Sequence, residues 1–308
     1  MSNLQTLHAP VAKPAEQTAA TPPAPSVSST QARRRVLSAR RSPRRRGSRT
    51  GYILPGAVLA LAVGWALLPG VFAPADPIAG DAAVAMSPPS AEHWFGTDAT
   101  GRDVFSRVVH GAIHSLSGAL LAVTVGLVVG STLGIIAGSS GRIVDDVIMR
   151  IVDVLLAIPS LLLSLSVIIL LGFGTLQAAV AVGVASIAAF ARLARSEVVR
   201  VRRSDYVEAA FGSGATFAQV LRRHILPNST TAVLALAALQ FGTAILAIST
   251  LGFLGYGAPP PTPEWGLMVA EGRDYLATAW WLTTLPGLVV VAVVLSANRI
   301  SALIGRNQ

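Results

Sequence analysis

Long apolar segments alternate with shorter polar segments along most of this chain of 308 residues. A helix needs about 20 apolar residues to cross the hydrocarbon core of a bilayer. The stretch from 147 to 194 is too long for one crossing, and Gly172-Phe173-Gly174-Thr175 divides it in two. The pattern therefore predicts an all-α polytopic membrane protein with six transmembrane helices, at about 52–72, 115–137, 147–171, 176–194, 230–254 and 277–298.

Arginine is unevenly distributed among the polar segments. Residues 1–50 lack apolar periodicity and contain nine arginines, so we expect a disordered basic tail before a membrane domain at 51–308. Seven more arginines lie within 192–223, whereas the polar segments 73–114 and 255–276 together hold three arginines and eight acids. Because arginine-rich segments stay on the cytoplasmic side, both termini and the arginine-rich middle segment are predicted to be cytoplasmic.

Composition excludes several kinds of chemistry. Hydrophobic residues make up 52% of the chain and charged residues 13%, with a mean hydropathy of +0.61, as in a membrane protein. The chain has no cysteine, which excludes disulfides, thiol nucleophiles and thiolate metal sites. Its only lysine is Lys13, so no phosphate-binding loop of the G-x-x-x-x-G-K-[ST] type exists, and another chain must bind any ATP that is used. The basic tail has no interleaved aromatic residues, and nucleic-acid binding is not expected.

One polar segment, 204–228, has an ordered internal pattern and is called the hinged segment below. Asp205–Glu208 predicts a capped start of a first short helix, and Thr216–Gln219 predicts a capping box for a second. Gly212-Ser213-Gly214 separates the two helices and permits a sharp change of direction. Pro227 is expected to end the unit and to begin the next span. The second helix carries an apolar stripe that can pack under the membrane helices, formed by Phe217, Val220, Leu221 and Ile225.

The first short helix of the hinged segment has a surface suited to contact with another protein. Ala209 and Ala210 are small enough to let a second backbone approach closely, and Glu208 places a carboxylate in the first turn, where it complements the helix dipole. The physical pattern also fits a plain amphipathic loop that lies on the bilayer. The residues alone leave both interpretations open.

Several spaced motifs resemble those of ABC importer permeases of the peptide/nickel family, in particular the C-type dipeptide/oligopeptide permeases. The hinged segment has the spacing of that family's coupling loop, with Glu208-Ala209-Ala210, then Gly214, then Leu226-Pro227. The likeness covers about 51–298. Its other motifs are Gly96-Thr97-Asp98 with Gly101-Arg102-Asp103-Val104 and Ser106-Arg107, then Asp145, Arg150, Asp153 and Pro159-Ser160, then Ala191-Arg192-Leu193, and finally Gly252-Phe253-Leu254-Gly255, Pro260-Pro261-Thr262-Pro263, Trp265-Gly266 and Ala270-Glu271-Gly272-Arg273-Asp274-Tyr275.

The resemblance implies a type I ABC importer with the MetI-like permease fold in a bacterial plasma membrane. This chain would pair with a second, B-type permease subunit above one or two ATPase subunits, which bind ATP and Mg²⁺, and would receive di- or oligopeptides from an extracytoplasmic binding protein. It would itself hold no cofactor or metal and catalyse no reaction. Nickel, glutathione or another small solute is the alternative cargo. The residues implied in ATPase docking are Asp205, Tyr206, Glu208, Ala209, Ala210, Gly214, His224 and Pro227.

Two further groups of residues are candidates for the transport pathway. Asp153 is the carboxylate expected nearest to membrane depth, and it either pairs locally with Arg150 or contributes with Arg150 and Pro159 to an inner gate. On the outer side lies a proline-rich loop that Trp265 is expected to anchor at the interface. This loop either packs simply, or it contacts the binding protein or gates the cavity. The outer candidates are Asp98, Arg102, Asp103, Pro261, Trp265 and Glu271.

Other functions have less support in the residues. His110 and His114 are four apart on a helical approach to the second span, but no third metal ligand is evident nearby. An ion-coupled carrier should show internal halves and ionisable residues inside its spans, and apart from Asp153 the spans offer little. A membrane enzyme would need a nucleophile, a base or a metal cluster, and none can be recognised.

Overall fold

The computed structural model describes residues 50–305 of the chain, and within them all extended regular structure is helical. The predicted basic tail at 1–50 therefore lies almost wholly outside the described residues. Short turns of tighter or wider helix occur at Ala82–Val84, Leu221–Ile225 and Arg273–Tyr275. In chain order the α-helices are α1 Thr50–Leu67, α2 Pro69–Phe72, α3 Val104–Ser139, α4 Arg142–Ala157, α5 Ser160–Leu171, α6 Thr175–Arg202, α7 Asp205–Gly212, α8 Phe217–Val220, α9 Leu226–Phe253, α10 Trp265–Gly272 and α11 Trp281–Gly305.

Four of the described helices are long and apolar enough to cross a membrane: α3, α6, α9 with the turns that precede it, and α11. The bent pair α4 and α5 makes a fifth if it is counted as one span. The apolar part of α1, Ile53–Leu67, is shorter than a full crossing. The structure thus confirms an all-helical, multi-span protein, while the count of six spans stays a prediction.

The predicted third span is not one continuous helix. Helices α4 and α5 meet at Ile158-Pro159 with a bend of 98°. Proline lacks the backbone N–H that would continue the helical ladder, and it disfavours helical geometry in the residue before it. Ile158 accordingly has extended dihedral angles, φ −84° and ψ 128°. The predicted break at Gly172-Phe173-Gly174 is confirmed, because α5 ends at Leu171 and α6 begins at Thr175.

The centre of the fold is the close contact of α3 with α6. Four glycines at intervals of four residues, Gly126, Gly130, Gly134 and Gly138, line one side of α3. A Cβ added at Gly130 would lie 2.7 Å from Cβ of Phe190, and one at Gly138 would lie 2.9 Å from Cβ of Val198. Small residues at such intervals let two membrane helices approach backbone to backbone. The glycine positions therefore determine how closely these two helices pack.

Two polar regions occupy opposite ends of this helical body. One region, called the polar cap here, lies at the start of α3. It consists of the segment 73–103, the first turn of α3, the segment 254–264 and helix α10. The hinged segment lies at the other end, beyond the end of α6. Because α3 contains 36 residues, the two regions are separated by roughly 50 Å along its axis. Events at one end can reach the other only through the helices.

Candidate functional site

The hinged segment is held in place by a small apolar cluster. Val207 of α7 is fully buried, as are Val220 and Ile225 further along, and these side chains pack against Val198 and Val201 of α6. The predicted apolar stripe is thus confirmed at Val220, Leu221 and Ile225, whereas Phe217 is exposed. Arg222 and Arg223 point to the exposed side, as predicted. A few apolar contacts therefore fix the position of two otherwise exposed short helices.

The local capping signals are confirmed in part. The capping box is present, with the Thr216 hydroxyl accepting from the Gln219 backbone N–H and the Gln219 side chain accepting from the Thr216 N–H. The cap predicted at Asp205 is wrong, because Ser204 occupies the cap position without a side-chain hydrogen bond and Asp205 begins the helix itself. Asp205 still faces the positive end of the helix dipole. Gly214 has φ +87°, a left-handed conformation that favours glycine, so the predicted hinge is confirmed.

Pro227 lies in the first turn of α9, which begins at Leu226, so its predicted place at the start of this span is confirmed. The chain is helical without interruption from Phe217 to Phe253, and Pro227 lies inside that run. The turn Leu221–Ile225 just before it is a wide helical turn, in which the Leu226 N–H donates to the carbonyl of Leu221, five residues back. A proline ring collides with the carbonyl four residues earlier in an α-helix. The wide turn relieves that collision, and it joins the hinged segment rigidly to α9.

Five of the eight residues implied in docking lie on α7, whereas Gly214 lies in the turn after it, His224 in the wide turn and Pro227 in the first turn of α9. Asp205, Tyr206, Glu208 and Ala209 are exposed, and Ala210 is half-buried against the apolar cluster. The Tyr206 ring packs at 6.0 Å from the half-buried ring of His224, which links α7 to the wide turn. The exposed surface of α7 presents two carboxylates, an aromatic ring and a small side chain on a helix fixed from beneath. A partner that moves against this surface can therefore displace α7 as a rigid unit, without unfolding the helix.

The candidate gate residues take partners that sequence spacing did not predict. Asp153 pairs with Arg192 of α6, so the predicted local pair with Arg150 is wrong; Arg150 itself is exposed. A second pair joins the same helices, with both Asp145 oxygens accepting from Arg195 at 2.7 and 2.6 Å. Pairs between helices form because the close packing of α3, α4 and α6 brings these residues together. Two ion pairs thus fasten α4 to α6, one at Asp145 near the start of α4 and one at Asp153 near its end.

Arg107 is the centre of the polar cap. Its side chain is 1% exposed, although it carries a charge. Its Nη1 donates to the carbonyls of Pro77 and Pro261, each at 3.2 Å, and its Nη2 donates to Glu271 at 3.1 Å. Buried charges need both a counter-charge and hydrogen-bond partners. Arg107 therefore ties three separate segments of the cap together. It belongs to the family motif Ser106-Arg107, but it was not predicted as a site residue.

Two aspartates hold the loop before α3 in shape. Asp98 accepts from the backbone N–H groups of Thr100 and Arg102, from the Thr100 hydroxyl and from Arg102 Nε at 2.6 Å. Burial raises the pKa of Asp98, but these hydrogen bonds and the Arg102 charge outweigh it, so the pKa lies below its ordinary value. Asp103 caps α3 by accepting from Ser106 N–H at 2.7 Å, and it contacts His93 at 3.1 Å. The aspartates predicted at this site are therefore largely occupied in local structure.

Glu264 is a buried carboxylate that the sequence analysis did not single out. It is 1% exposed and caps α10, with Gly266 N–H and Leu267 N–H donating at 2.9 and 2.8 Å. The Ser115 hydroxyl of α3 donates to the same carboxylate at 3.1 Å. Burial raises the pKa of Glu264, and the three hydrogen bonds lower it in part, leaving it above its ordinary value. Gly252 lies so close that an added Cβ would be 2.7 Å from this carboxylate.

The neighbouring Trp265 is not an interface anchor, and that prediction is wrong. Its side chain is fully buried, and its Nε1 donates to the Val108 carbonyl at 2.9 Å. It packs there because the cap folds over the start of α3 and covers the ring. Trp265 is therefore a structural member of the cap with no surface for a partner. Pro261 and Glu271 contribute to the cap through Arg107, and the half-buried Glu271 carboxylate also lies 3.8 Å from Arg102.

The histidine pair on α3 does not form part of a metal cluster in the described part of the chain. Among residues 53–302 no group of three or more acidic or histidine side chains is arranged to hold a metal ion. The Nδ1 atom of His110 lies 2.9 Å from the carbonyl of Ser106 in its own helix. The His110 ring therefore contacts the backbone of its own helix, one turn earlier.

Comparisons with known proteins agree on one family. The sequence profile of the binding-protein-dependent transport system inner membrane component matches residues 130–307. The dipeptide transport system permease protein DppC of Alkalihalophilus pseudofirmus is 42% identical over 212 residues, 69% of this chain and 70% of that protein. The probable D,D-dipeptide transport system permease protein DdpC of Escherichia coli K12 is 39% identical over 260 residues, 82% and 87% of the two chains. A glutathione transport system permease protein, GsiD, of Escherichia coli O157:H7 is 43% identical over 210 residues, 68% and 69%.

Solved structures with the same fold are more distant in sequence. An inward-facing structure of the MetNI methionine ABC transporter matches with a TM-score of 0.51 and 18% identity, over 64% of this chain and 96% of that chain. An amino acid ABC transporter crystallised with histidines matches with a TM-score of 0.53 and 18% identity, over 66% and 95%. At this identity the likeness shows the fold alone, and the predicted MetI-like permease fold is confirmed.

Proposed function

This chain belongs to the family of binding-protein-dependent transport system inner membrane components, and we propose that it is a permease subunit of an ATP-driven importer of di- or oligopeptides. The observation that carries the proposal is the likeness, at about 40% identity over most of the chain, to permeases named for dipeptide and D,D-dipeptide transport. The chain would form half of the translocation pathway. A second, B-type permease would form the other half.

The energy for transport would come from partner chains. The one lysine of this chain lies at position 13, so it has no lysine for a phosphate-binding loop of its own. ATP and Mg²⁺ would bind to one or two ATPase subunits on the cytoplasmic side, where both termini of this chain would also lie. The chain would hold no cofactor and break no bond. An extracytoplasmic binding protein would deliver the peptide to the other side.

The ATPase would dock on α7 of the hinged segment. Three properties support this assignment: an exposed surface with small and acidic side chains, the fully buried Val207 that anchors it, and the uninterrupted helix from Phe217 into α9. Closure of the ATPases around ATP would push α7, and the rigid connection would carry that push into α9. Coupling requires that this contact differ between the inward-open and outward-open states.

Movement of α9 would reach the gate residues and the polar cap. A position suited to an inner gate lies where α4 meets α6. It contains the exposed pair Asp153–Arg192, Arg150 and the bend at Pro159. On the outer side, the half-buried residues Asp98, Arg102 and Glu271 would contact the binding protein. Asp103, Pro261 and Trp265 would act there only indirectly, by holding the cap in shape.

Reconstitution tests the function directly. The chain is co-expressed with its neighbouring B-type permease and ATPase genes, purified in mild detergent and placed in vesicles with the loaded binding protein. We expect ATP-dependent accumulation of a radiolabelled dipeptide, and none from vesicles that contain this chain alone. Accumulation by the chain alone would show an ion-coupled carrier and contradict the proposal.

Glutathione is a second candidate solute, because a relative named as a glutathione permease is 43% identical over 68% of the chain. The same vesicles distinguish the two solutes. Excess unlabelled glutathione should leave dipeptide uptake unchanged if the importer is a dipeptide system. Uptake of glutathione with no uptake of dipeptides would assign the chain to the second class.

A further inference from the structure

A cavity of about 310 Å³ lies between α3, α5, α6 and α9. Ala122 lines it from α3, and this residue lies 18 residues from the start and 17 from the end of that helix. At a rise of 1.5 Å per residue the cavity is roughly 25 Å from either end of α3. It therefore lies near the middle of the membrane, and its volume is at the lower end of the range for ligand pockets.

The cavity lining described by the structure is uncharged and combines nine apolar residues with five polar ones. Its polar side chains are Ser160 and Ser164 of α5, Ser186 of α6, and Gln240 and Thr243 of α9, and no charged residue lines it. The Thr243 hydroxyl lies 2.9 Å from both the backbone carbonyl oxygen and the side-chain oxygen of Gln240, and it can donate its one proton to either. Gln240 is half-buried and Ser164 is 3% exposed, whereas Ser160 is exposed. The wall thus offers neutral donors and acceptors to an occupant.

The bend between α4 and α5 shows which way the cavity opens. Ile158 and Pro159 are exposed, and the neighbouring Ser160 lines the cavity together with the mid-helix residue Ala122. Backbone that is not helical is tolerated at membrane depth only where it is buried in protein or lines a water-filled space. An exposed helix break at this depth therefore faces water or a partner permease, and the cavity beside it belongs to the pathway side of the chain.

We infer that this cavity is a solute-contact site in the transport pathway, and that it recognises the uncharged backbone amides of a peptide through Gln240 and Ser164. This inference rests on the proposed function and adds the chemistry of the contact. Carboxamides and hydroxyls pair with amide N–H and C=O groups without the cost of burying a charge. The peptide's charged ends lie elsewhere in the pathway, because the lining has no counter-charge for them.

Water access to the cavity is tested by single cysteines, since the chain contains none of its own. Ser164 is 3% exposed and lines the cavity. Ser166 lies on the same helix about 200° away around its axis. It is exposed, and its hydroxyl donates to the Leu162 carbonyl. In vesicles holding the full complex, Ser164→Cys should react with a water-soluble methanethiosulfonate at least roughly tenfold faster than Ser166→Cys, since only a hydrated thiol ionises readily. Equal, slow labelling of both would show a cavity filled by lipid or closed by the partner, and would overturn the inference.

Solute recognition is tested by uptake at saturating loaded binding protein, so that receptor affinity does not limit the rate. Gln240→Leu removes the amide and should lower the maximal rate of dipeptide uptake roughly fivefold, the value of about one hydrogen bond. Gln240→Asn should restore part of that loss. The matched control is Gln177→Leu, near the start of α6 and outside the cavity lining.

The outcomes separate this inference from the proposed function. Equal uptake by Gln240→Leu and Gln177→Leu, with normal uptake by the unsubstituted complex, would overturn the inference alone. Failure of the unsubstituted complex to take up any dipeptide would contradict the proposed function, and the peptide-contact assignment with it. A peptide methylated at its backbone nitrogen gives a further check: the unsubstituted complex should transport it more slowly than the parent peptide, and Gln240→Leu should reduce that difference.

Discussion

The polar cap and the hinged segment are both rich in charged residues, yet they use their charges in opposite ways. In the cap, Arg107 and Glu264 are almost fully buried, and each carries several hydrogen bonds from separate segments. In the hinged segment the charged residues are exposed, and only apolar side chains such as Val207 and Ile225 are buried. The cap therefore satisfies its polar groups within this chain, whereas the hinged segment keeps a surface available for a partner.

This difference predicts that substitutions in the two regions impair the protein in different ways. A substitution in the cap should destabilise the folded chain, because it leaves buried groups without partners. A substitution on the exposed face of α7 should leave the fold intact and impair transport. Variants that fail to separate stability from transport in this way would break the comparison.

The largest expected effect is that of Glu264→Ala. The change leaves the Ser115 hydroxyl and the N–H groups of Gly266 and Leu267 without their acceptor, at a combined cost of about 3 kcal/mol. The measurement is thermal unfolding of the purified chain in detergent. Glu92→Ala, at an exposed acid of the same cap, should change the unfolding temperature little. Equal stability of both variants would show that the buried carboxylate does not hold the cap.

The next effect is expected on the exposed face of α7. Ala209→Trp and Glu208→Arg should lower ATP-driven uptake about thirtyfold, equivalent to roughly 2 kcal/mol of coupling, while the unfolding temperature stays unchanged. Ala209 is a sharper target than Ala210, since Ala210 packs against the buried cluster. Ala218→Trp, on the exposed face of α8, is the matched control and should transport normally. Normal uptake by both α7 variants would contradict docking at this helix.

A smaller effect concerns the pH dependence of the cap. Because the pKa of folded Asp98 is below its ordinary value, ionised Asp98 stabilises the cap above its unfolded pKa, about 3.9. That stabilisation, on the order of 1 kcal/mol, is lost as the pH falls through the folded pKa. Unfolding temperatures measured between pH 7 and pH 3 should therefore fall less steeply for Asp98→Asn than for the unsubstituted chain. Parallel curves would exclude Asp98 as the group responsible.

The smallest effect is expected for the ion pairs between α4 and α6. Asp153 and Arg192 are 61% and 58% exposed, so Asp153→Asn should cost at most about 0.5 kcal/mol. Asp145 is 18% exposed and forms two hydrogen bonds with Arg195, and Asp145→Asn should cost more. Unfolding temperatures of the two variants compare the pairs directly. A loss of transport by Asp153→Asn without a loss of stability would support its assignment to the gate.

The sequence predicted those features whose physical cause is local. Three features could be predicted because each depends on a few adjacent residues: the break at Gly172-Phe173-Gly174, the hinge at Gly214 and the Thr216–Gln219 capping box. Predictions that needed a partner from elsewhere in the chain were less successful. Spacing alone paired Asp153 with Arg150, whereas the packing of α4 on α6 supplies Arg192, 39 residues away.

The amino-acid sequence by itself determined the helical membrane class, the family and the hinged segment, because hydrophobic length, short capping patterns and motif spacing are properties of consecutive residues. Only the tertiary structure decided that Trp265 is buried, that Arg107 and Glu264 hold the cap together, and that α4 and α5 meet at a bend of 98° beside a neutral cavity. The physical reason is distance along the chain. The Ser115–Glu264 hydrogen bond joins residues 149 positions apart, and such contacts exist only once the helices have packed.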